Sequence, residues 1–534
     1  MRQLPTLRTT PPPARRGAAA WRLLPLLLLA GCMAPAPRAV HAAGPGAALG
    51  VGAAALSVED MRWLNRITYG IDTASLQRYR ELGRERFLAE QLSPPDATLP
   101  SAIAGQIAAL QLERNDPASV LREIAAENQR VDALSEGPER EQARKARNER
   151  ANKVANETIR RQLLRALYSP AQLQEQLVWF WLNHFSVHQN KGNVRWLLAD
   201  YEDRAIRPHA LGSFRELVLA TLQHPAMLQY LDNAQNAAGH VNENYARELM
   251  ELHTLGVGAG YSQHDVQELA RVLTGVGINH NGVTPHLRRD LESLYVRRAA
   301  FEFNPARHDF GAKTLLGTPI AARGWPEVEQ AVTLLVRQPA CAQFITRKLA
   351  VYFVGDAPPP ALLARLAQSF ERSDGDIAAV LRTLFHSPEF LASLGGQFKD
   401  PRQFILGAVR FAYDGQELRN SRPLLNWLNA LGEVPYGRVT PDGYAAGELA
   451  WASSGQLSRR FEIARAIGAG NAGLFDPEDG SAAATAGFPR LASRLYFEGV
   501  EPYLSARTAG VLARASSQAE WNTLLLSAPE WNYR

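Results

Sequence analysis

Apolar residues recur at intervals of three and four positions along most of the chain from Val58 onward. This spacing places them on one face of a helix and therefore predicts a mainly helical protein. No segment repeats at a fixed period, so a solenoid is not predicted. We expect an all-α fold, one compact multi-helix body with a small β excursion around 276–320. Helices are predicted at about 58–68, 73–81, 84–92, 102–114, 173–185, 192–206, 212–223, 225–231, 325–337, 340–354, 360–372, 376–385, 388–394, 401–414, 421–431, 455–468, 506–514 and 517–526.

Two further segments differ from this general pattern. Residues 117–165 carry nearly balanced charge at helical spacing, which predicts a long solvated helix or a helical hairpin broken near Ser135–Pro138. A partner-binding coil is the alternative for that segment. By contrast, 173–185 is apolar on almost every side, which is typical of a buried central helix. His184 shares a stripe with Leu177 and Phe180, so we expect its ring to point into apolar surroundings.

The helical pattern is interrupted between residues 276 and 323. Turn-forming residues at Asn279–Asn281 precede an alternation of apolar and polar residues from Tyr295 to Phe303. Alternation with a period of two predicts strands, so this segment accounts for the β excursion.

The densest set of ionisable side chains lies in 242–275, which we call the helix elbow. Gly256 follows the last residue of a first apolar arc and is suited to the left-handed conformation that ends helices. Ser262, with Asp265 three residues later, predicts a capping box that starts a second helix.

Several long motifs occur in order around this elbow. They are FWLNHF (180–185), IRPHALGSF (206–214), HPAMLQYLDN (224–233), the elbow sequence NENYARELMELHTLGVGAGYSQHDVQELARVLTG (242–275) and FEFNPARHDFGAKTLLG (301–317). From about Arg62 to the 460s the chain resembles a bacterial family known as domain of unknown function 1800. The resemblance implies an exported, mainly helical protein and implies no activity. Val276 stands where the family usually carries a tryptophan, which puts any role of that ring in doubt.

The first 57 residues are predicted to direct export. Residues 1–32 read as a signal peptide with a basic start, an apolar core at Leu23–Ala30 and a lipobox ending at Cys32. The core is much shorter than the roughly 20 residues of a membrane span. We expect lipidation of Cys32 to be the only membrane attachment, on the outer membrane; ordinary cleavage near Val40–Ala42, giving a periplasmic protein, is the alternative. Residues 33–57 then form an Ala/Pro/Gly tether, and 58–534 form the helical domain.

Charge and cysteine content exclude two classes of protein. The net charge of +5 falls to zero without residues 1–31, which hold five arginines and no acid, so nucleic-acid binding is not expected. Once Cys32 is modified or removed, Cys341 is alone, and no internal disulfide is predicted.

The catalytic candidates are Glu243, Glu248, His253 and His184. Carboxylates and imidazoles are the usual general acids and bases, and Arg247 is suited to orienting a substrate. The alternative for Glu243, Arg247 and Glu251 is a structural ladder of i, i+4 ion pairs. For His253 and His184 the alternative is a core histidine whose ring nitrogens are hydrogen-bonded.

Further candidates for substrate binding are Asp232 and Asn242, together with the loop residues His308, Asp309 and Lys313. The oxygen-rich segment from Asp232 to Asn244 also suits a hard cation, although helix capping explains it equally well. Turn formation is the alternative for the loop at 308–313. The sequence leaves metals and cofactors unassigned, and it contains no metalloprotease, P-loop, serine-hydrolase or C-x-x-C signature.

Two function hypotheses follow. The first is an exported envelope enzyme, a hydrolase or lyase acting on a glycan or peptide polymer through a buried Glu/His cluster around 232–265. It expects Glu243 or Glu248, His253, His184 and His308 to converge on one cleft. The second is a non-catalytic envelope protein that binds or assembles with another exported protein, a partner that the resemblance implies.

Overall fold

Helices account for most of the residues that the computed structural model describes, which are 56–95, 98–114, 117–477, 488–489 and 491–534. The predicted signal peptide, Cys32 and the tether up to residue 55 lie outside the described residues. The described residues group as one compact unit. The predicted all-α class with a small β excursion is confirmed.

The first half of the domain contains eleven α-helices among the described residues, ending at the helix elbow. They are α1 (Val58–Ile67), α2 (Thr73–Leu92), α3 (Ser101–Ala108), α4 (Pro117–Ala133), α5 (Pro138–Tyr168), α6 (Gln172–His184), α7 (Leu198–Asp200), α8 (Phe214–Leu222), α9 (Pro225–Tyr230), α10 (Asn244–Glu248) and α11 (Gln263–Val272). The charged segment is thus a hairpin of α4 and α5, which agrees with the predicted break.

The second half of the described chain contains twelve α-helices. They are α12 (Trp325–Val336), α13 (Pro339–Phe353), α14 (Pro360–Arg372), α15 (Ile377–Phe385), α16 (Pro388–Ala392), α17 (Pro401–Tyr413), α18 (Arg422–Ala430), α19 (Glu448–Trp451), α20 (Ser454–Gly468), α21 (Arg494–Gly499), α22 (Ala506–Leu512) and α23 (Gln518–Leu526). Short 3₁₀ turns lie at Gln111–Arg114, Val194–Trp196, Arg207–His209, Asn233–Gln235, Glu292–Leu294, Pro305–Arg307, Glu501–Tyr503 and Pro529–Asn532.

Two segments have π-helical geometry, Tyr201–Ile206 and Leu249–Thr254. In the second, the Thr254 hydroxyl and the Leu255 amide donate to carbonyls five residues earlier, at 2.6 and 2.9 Å. Such segments are rare and often occur at functional sites. The predicted helix at 192–206 is therefore split into a 3₁₀ turn, α7 and a π segment.

The β excursion consists of two small antiparallel sheets. In the first, β3 (Phe301–Phe303) lies between β1 (Val276–Ile278) and β2 (Val296–Arg298), with Val276 opposite Phe303. The second is a hairpin of β4 (Thr314–Leu315) and β5 (Thr318–Pro319). Val276 is fully buried, so a valine fills the position where the family usually carries tryptophan.

The core is organised around α6, which is buried along nearly its whole length as predicted. Trp181 of this helix is fully buried, and its indole Nε1 donates to the Ala210 carbonyl at 2.9 Å. A helix with apolar residues on every side can only be stable when other elements cover all of it. This position brings the C-terminal end of α6, with His184, against the helix elbow.

Candidate functional site

The helix elbow is built as its sequence predicts. Ser262 accepts from the Asp265 amide at 3.2 Å, and Asp265 accepts from the Ser262 amide at 2.8 Å, which completes the capping box of α11. Gly256 adopts φ +90°, and a side chain there would meet the ring of Phe344 in α13 at 2.9 Å. The close approach of the elbow to α13 therefore depends on a glycine at this position.

Both carboxylates of the ladder along α10 pair with the arginine between them. Arg247 contacts Glu243 at 3.1 Å and Glu251 at 3.4 Å, and Gln263 hydrogen-bonds both Arg247 and Glu243. All three charged side chains are partly exposed, so these ion pairs are worth a few tenths of a kcal/mol. The arrangement has the geometry of the structural ladder.

His184 and His253 meet in the core. Their ring centroids are 6.0 Å apart, and Nε2 of His184 donates to the His253 carbonyl at 3.0 Å. Among the described residues, Nδ1 of His184 and both ring nitrogens of His253 have no hydrogen-bond partner. Burial lowers the pKa of His253 to about 3 and lowers that of His184 well below its usual value, so both rings are neutral at pH 7.

A buried ring nitrogen without a hydrogen-bond partner lowers the unfolding free energy by about 1–3 kcal/mol. No described protein group hydrogen-bonds the ring of His253, and only Nε2 of the His184 ring is bound, so the alternative of core histidines with hydrogen-bonded rings stays a prediction. A core that retains this cost is a candidate for a functional role.

The third member of this group, Lys348 in α13, is absent from the sequence-based candidates. Its charge lowers the pKa of both imidazoles, and its Nζ lies 5.4 Å from the centroid of the Phe344 ring. Lys348 is only partly exposed, and no described side chain forms a hydrogen bond or ion pair with it. Burial lowers its pKa to about 8, although the charge of Asp442 opposes this shift. We call His184, His253 and Lys348 the Lys348 cluster.

A signal for Lys348 exists in the sequence. Phe344, Lys348 and Tyr352 follow one another at intervals of four, so the lysine lies on the stripe that also carries two aromatic residues. A lysine on the inward stripe of a helix is unusual, because lysine is rarely buried without a partner.

Acidic side chains lie on the solvent side of the Lys348 cluster. The charge of Asp442 acts on Lys348 and on Glu248, and Arg438 contacts Asp442 at 2.8 Å. Glu248 has no hydrogen-bond or ion-pair partner within the described ranges, and burial raises its pKa, with the Glu251 charge adding to the shift. Tyr230 lies within reach of the charges of both Glu248 and Asp442.

The loop that carries Asp442 is held against α6. Asn183 donates to the Tyr444 carbonyl at 2.9 Å and accepts from the Tyr444 amide at 2.6 Å. Gly443, at φ +75°, lies so close to Asn183 that a side chain would meet its carbonyl oxygen at 2.2 Å. Because Asn183 precedes His184, the same helix end positions the histidine and the acidic loop.

Asp232 and Asn242 lie in a network of side-chain amides. Asp232 pairs with Lys191 at 2.9 Å, and the Asn242 amide donates to Oδ1 of the fully buried Asn236 at 2.9 Å. Asn236 in turn donates to the Ala270 carbonyl at 2.9 Å, which ties this segment to α11. No group of three or more His, Cys, Asp or Glu residues suited to a metal ion occurs in the part of the chain that the structure describes.

His308 lies apart from the Lys348 cluster, in a second buried group. Its Nε2 is 3.2 Å from Glu327, and Nζ of Lys313 contacts the other oxygen of the same carboxylate at 2.7 Å. Burial raises the pKa of Glu327, but the adjacent His308 ring and the hydrogen bonds from Lys313 and the Gly324 amide outweigh it and lower the pKa overall. We call His308, Lys313 and Glu327 the Lys313 cluster.

Asp309 extends this second group toward α11. Arg271 binds both oxygens of Asp309, at 2.8 and 3.3 Å, and the hydrogen bonds from Arg271 lower the pKa of Asp309 to about 2. Arg271 also pairs with Glu268 at 2.6 Å. The structure thus brings His184 and His253 together, and it places His308, Asp309 and Lys313 in a separate ion-paired network. Glu248 is related to the first group only because the charge of Asp442 acts on both Glu248 and Lys348.

Comparison with known families adds one finding. The family described as "Protein of unknown function (DUF1800)" matches residues 62–533. The chain belongs to this family. The match extends through the C-terminal helices, well beyond the 460s where the resemblance was expected to end. No curated protein and no solved structure matches the chain significantly.

The family match covers every motif that resembles DUF1800, and three of these motifs contribute side chains to the two clusters. His184 lies in the motif at 180–185, and His253 lies in the elbow motif, whereas His308 and Lys313 belong to the motif at 301–317. Within the described residues, no helix is both long and apolar enough to cross a membrane.

Proposed function

We propose that this protein is an exported envelope enzyme, a hydrolase or lyase acting on a glycan or peptide polymer, with Lys348 and Glu248 as its proton-transfer groups. The observation that carries the proposal is Lys348. Its side chain is only partly exposed, its amine lies beside two neutral imidazoles, and no described carboxylate forms an ion pair with it. An amine that costs stability and contacts no carboxylate contributes little to the architecture.

The chemistry follows from opposite shifts of the pKa values of two groups. Burial lowers the pKa of Lys348 to about 8, so an appreciable fraction of the amine is neutral near pH 7 and can accept a proton. Burial raises the pKa of Glu248, which favours the protonated acid that can donate one. Environments that push pKa values toward the working pH are how carboxyl and amine groups become general acids and bases.

Both reaction types use these two groups in balanced steps. In hydrolysis, Lys348 takes a proton from water as the water oxygen attacks, and Glu248 gives a proton to the leaving oxygen or nitrogen. In an elimination, Lys348 takes a proton from carbon, a double bond forms, and Glu248 protonates the leaving oxygen. His184 and His253 are then positioning residues, because both are fully enclosed in the core and neutral.

The direct test is Lys348→Met, with Lys145→Met as the matched control because Lys145 is exposed on α5. Purified protein is incubated with isolated envelope glycan and peptide polymers, and both new reducing or amino ends and unsaturated products are followed. We expect Lys348→Met to lose the activity and Lys145→Met to retain it. Equal activity in both variants, or no activity in the wild type on any polymer, would count against the enzyme.

The export part of the proposal has its own test. Cys32→Ser removes the only thiol in the lipobox, so the variant is expected to leave the membrane fraction and to lose its acyl mass. A wild-type protein that is already outside the membrane fraction, and whose mass carries no acyl group, would favour the ordinary cleavage near Val40–Ala42 instead.

A second candidate is a non-catalytic envelope protein that assembles with another exported protein. It is favoured by the internal pairing of the ladder and the Lys313 cluster and by the exposed, charged surface of the α4–α5 hairpin. Charge reversal at exposed residues such as Lys145 and Glu149 is expected to release such a partner while leaving the fold intact. Loss of phenotype in those variants but not in Lys348→Met would favour this candidate.

A further inference from the structure

A separate cavity of about 380 Å³ lies between α8, the turn at 207–209 and the hairpin loop that joins β2 to β3. This volume is within the range of small-molecule sites, about 300–1,000 Å³. Two motifs that the proposed function does not use meet here, since His209 comes from IRPHALGSF and His224 from HPAMLQYLDN. The cavity is therefore independent of the Lys348 cluster.

One side of the cavity carries Asp200, both of whose oxygens are bound by neighbouring side chains. His224 accepts from the Ala226 amide through Nδ1 at 3.1 Å, so its Nε2 carries the proton and donates to Asp200 at 2.9 Å. Arg204 binds the other oxygen of Asp200 through Nε, also at 2.9 Å. With both oxygens of Asp200 occupied, the terminal nitrogens of Arg204 have no bond to a described carboxylate and remain available for a ligand.

The rim carries a second guanidinium. Arg298, at the end of β2, donates to Gln223 at 2.6 Å and lies 5.9 Å from the centroid of the Trp325 ring, but among the described residues it meets no carboxylate. The remaining acid of the lining, Glu216, is held by Arg215. The cavity thus presents two guanidiniums, and its two acids are each already paired with an arginine, Asp200 with Arg204 and Glu216 with Arg215.

The walls and the remaining polar groups define the rest of the ligand. Leu219, Ala220 and Phe301 provide an apolar surface, whereas His209 and Gln223 provide groups that hydrogen-bond hydroxyls. Planar guanidinium groups bind carboxylate and phosphate oxygens in pairs. We propose that this cavity binds an anionic monosaccharide, whose charge contacts Arg204 and Arg298 and whose ring packs on the apolar wall.

Both possible ligand types are hexoses that bear one anionic group, either a carboxylate or a phosphate. Titration calorimetry with glucuronate and with glucose 6-phosphate distinguishes the two. Glucose is the neutral control ligand. We expect at least one of the two anions to bind at millimolar concentration or below and to bind at least tenfold more tightly than glucose.

Arg298→Ala provides the matched variant, and Arg289→Ala is its control because Arg289 is exposed outside the cavity lining. We expect Arg298→Ala to weaken anion binding at least tenfold and Arg289→Ala to leave it unchanged. Both variants replace exposed side chains, and an unchanged melting temperature verifies their fold. The proposal is overturned if neither anion binds, if glucose binds equally well, or if Arg298→Ala binds as the wild type does.

Discussion

Lys313 and Lys348 are both withdrawn from solvent, but only Lys313 meets a carboxylate. Lys313 is 4% exposed and contacts Glu327 at 2.7 Å, and His308 contacts the same carboxylate. Lys348 lies beside two neutral imidazoles and an aromatic ring, with Asp442 acting on it only through its charge. A buried lysine therefore points to function only where no carboxylate pairs with it, because an ion-paired lysine is explained by its role in the fold.

The two clusters also differ in what they hold together. The Lys313 cluster joins the loop at 308–313 to the start of α12, where Glu327 also caps the Gly324 amide at 3.0 Å. The Lys348 cluster joins three elements that already pack through apolar side chains. Removing a charge is therefore expected to destabilise the first cluster and to stabilise the second.

The largest expected effect is that of Lys313→Met. The substitution leaves Glu327 buried with only His308 and the Gly324 amide beside it, and breaking a buried ion pair from one side costs about 3–5 kcal/mol. Urea unfolding at pH 7 measures this loss of unfolding free energy. The double variant Lys313→Met, Glu327→Gln removes the uncompensated charge, so it is expected to recover at least half of the loss. A single variant as stable as the wild type would contradict the assignment.

The same cluster predicts a pH dependence. Because the pKa of Glu327 in the folded state lies below its ordinary value of 4.5, its ionised form stabilises the fold above pH 4.5, and this contribution is lost as the pH falls through the lower folded value. The difference between wild type and Lys313→Met is therefore expected to shrink on acidification. Unfolding curves between about pH 3 and 7 measure it. A difference that stays constant over this range would argue against the ion pair.

Lys348→Met is expected to have the opposite sign and a smaller size. The folded pKa of about 8 lies below the ordinary value of 10.5, so at pH 7 the folded state holds a charge that the unfolded chain accommodates more easily. Each pKa unit corresponds to about 1.4 kcal/mol, and partial exposure reduces the total, so we expect a gain of about 1–3 kcal/mol.

This gain has a defined pH window. As the pH rises from about 8 to 10.5, wild-type Lys348 loses its proton in the folded state first, and wild-type stability rises toward that of the variant. The advantage of methionine is expected to fade over that window. A variant less stable than the wild type at pH 7 would show that Lys348 supports the fold.

The smallest expected effects separate two neighbouring glutamates. Glu251→Gln removes an ion pair with Arg247 and is expected to cost about 0.2–0.5 kcal/mol. Glu248→Gln removes a carboxylate without a partner whose pKa is raised by burial, so it is expected to be neutral or slightly stabilising at pH 7. Matched urea titrations compare the two. A larger loss of unfolding free energy for Glu248→Gln than for Glu251→Gln would show that Glu248, and not Glu251, has the stabilising partner.

Much of the fold follows from local sequence. The periodicity of 173–185 predicts a buried helix, and the Ser262–Asp265 spacing predicts the capping box, because both signals depend on residues within one or two turns. The helical hairpin of α4 and α5 and the β excursion follow from turn residues in the same way. These predictions need no knowledge of what packs against each element.

The candidate site depends on contacts between distant segments. The π-helical turn at Leu249–Thr254 changes the rotation per residue, so the face of His253 cannot be read from a helical wheel. Lys348 and Asp442 lie about 95 and 190 residues beyond His253, and no local rule joins them. His308 was expected to converge with His184 and His253, but it contacts Glu327 instead, a carboxylate that is absent from the sequence-based candidates.

The most direct test of the account is the pKa of Lys348 in the folded protein. Limited acylation at a series of pH values, followed by mass spectrometry of the peptide that contains Lys348, gives the pH at which this amine becomes reactive. We expect a midpoint near 8 for Lys348 and about 10.4 for exposed lysines such as Lys145. A midpoint for Lys348 equal to that of Lys145, or an amine that stays unreactive at every pH, would contradict it.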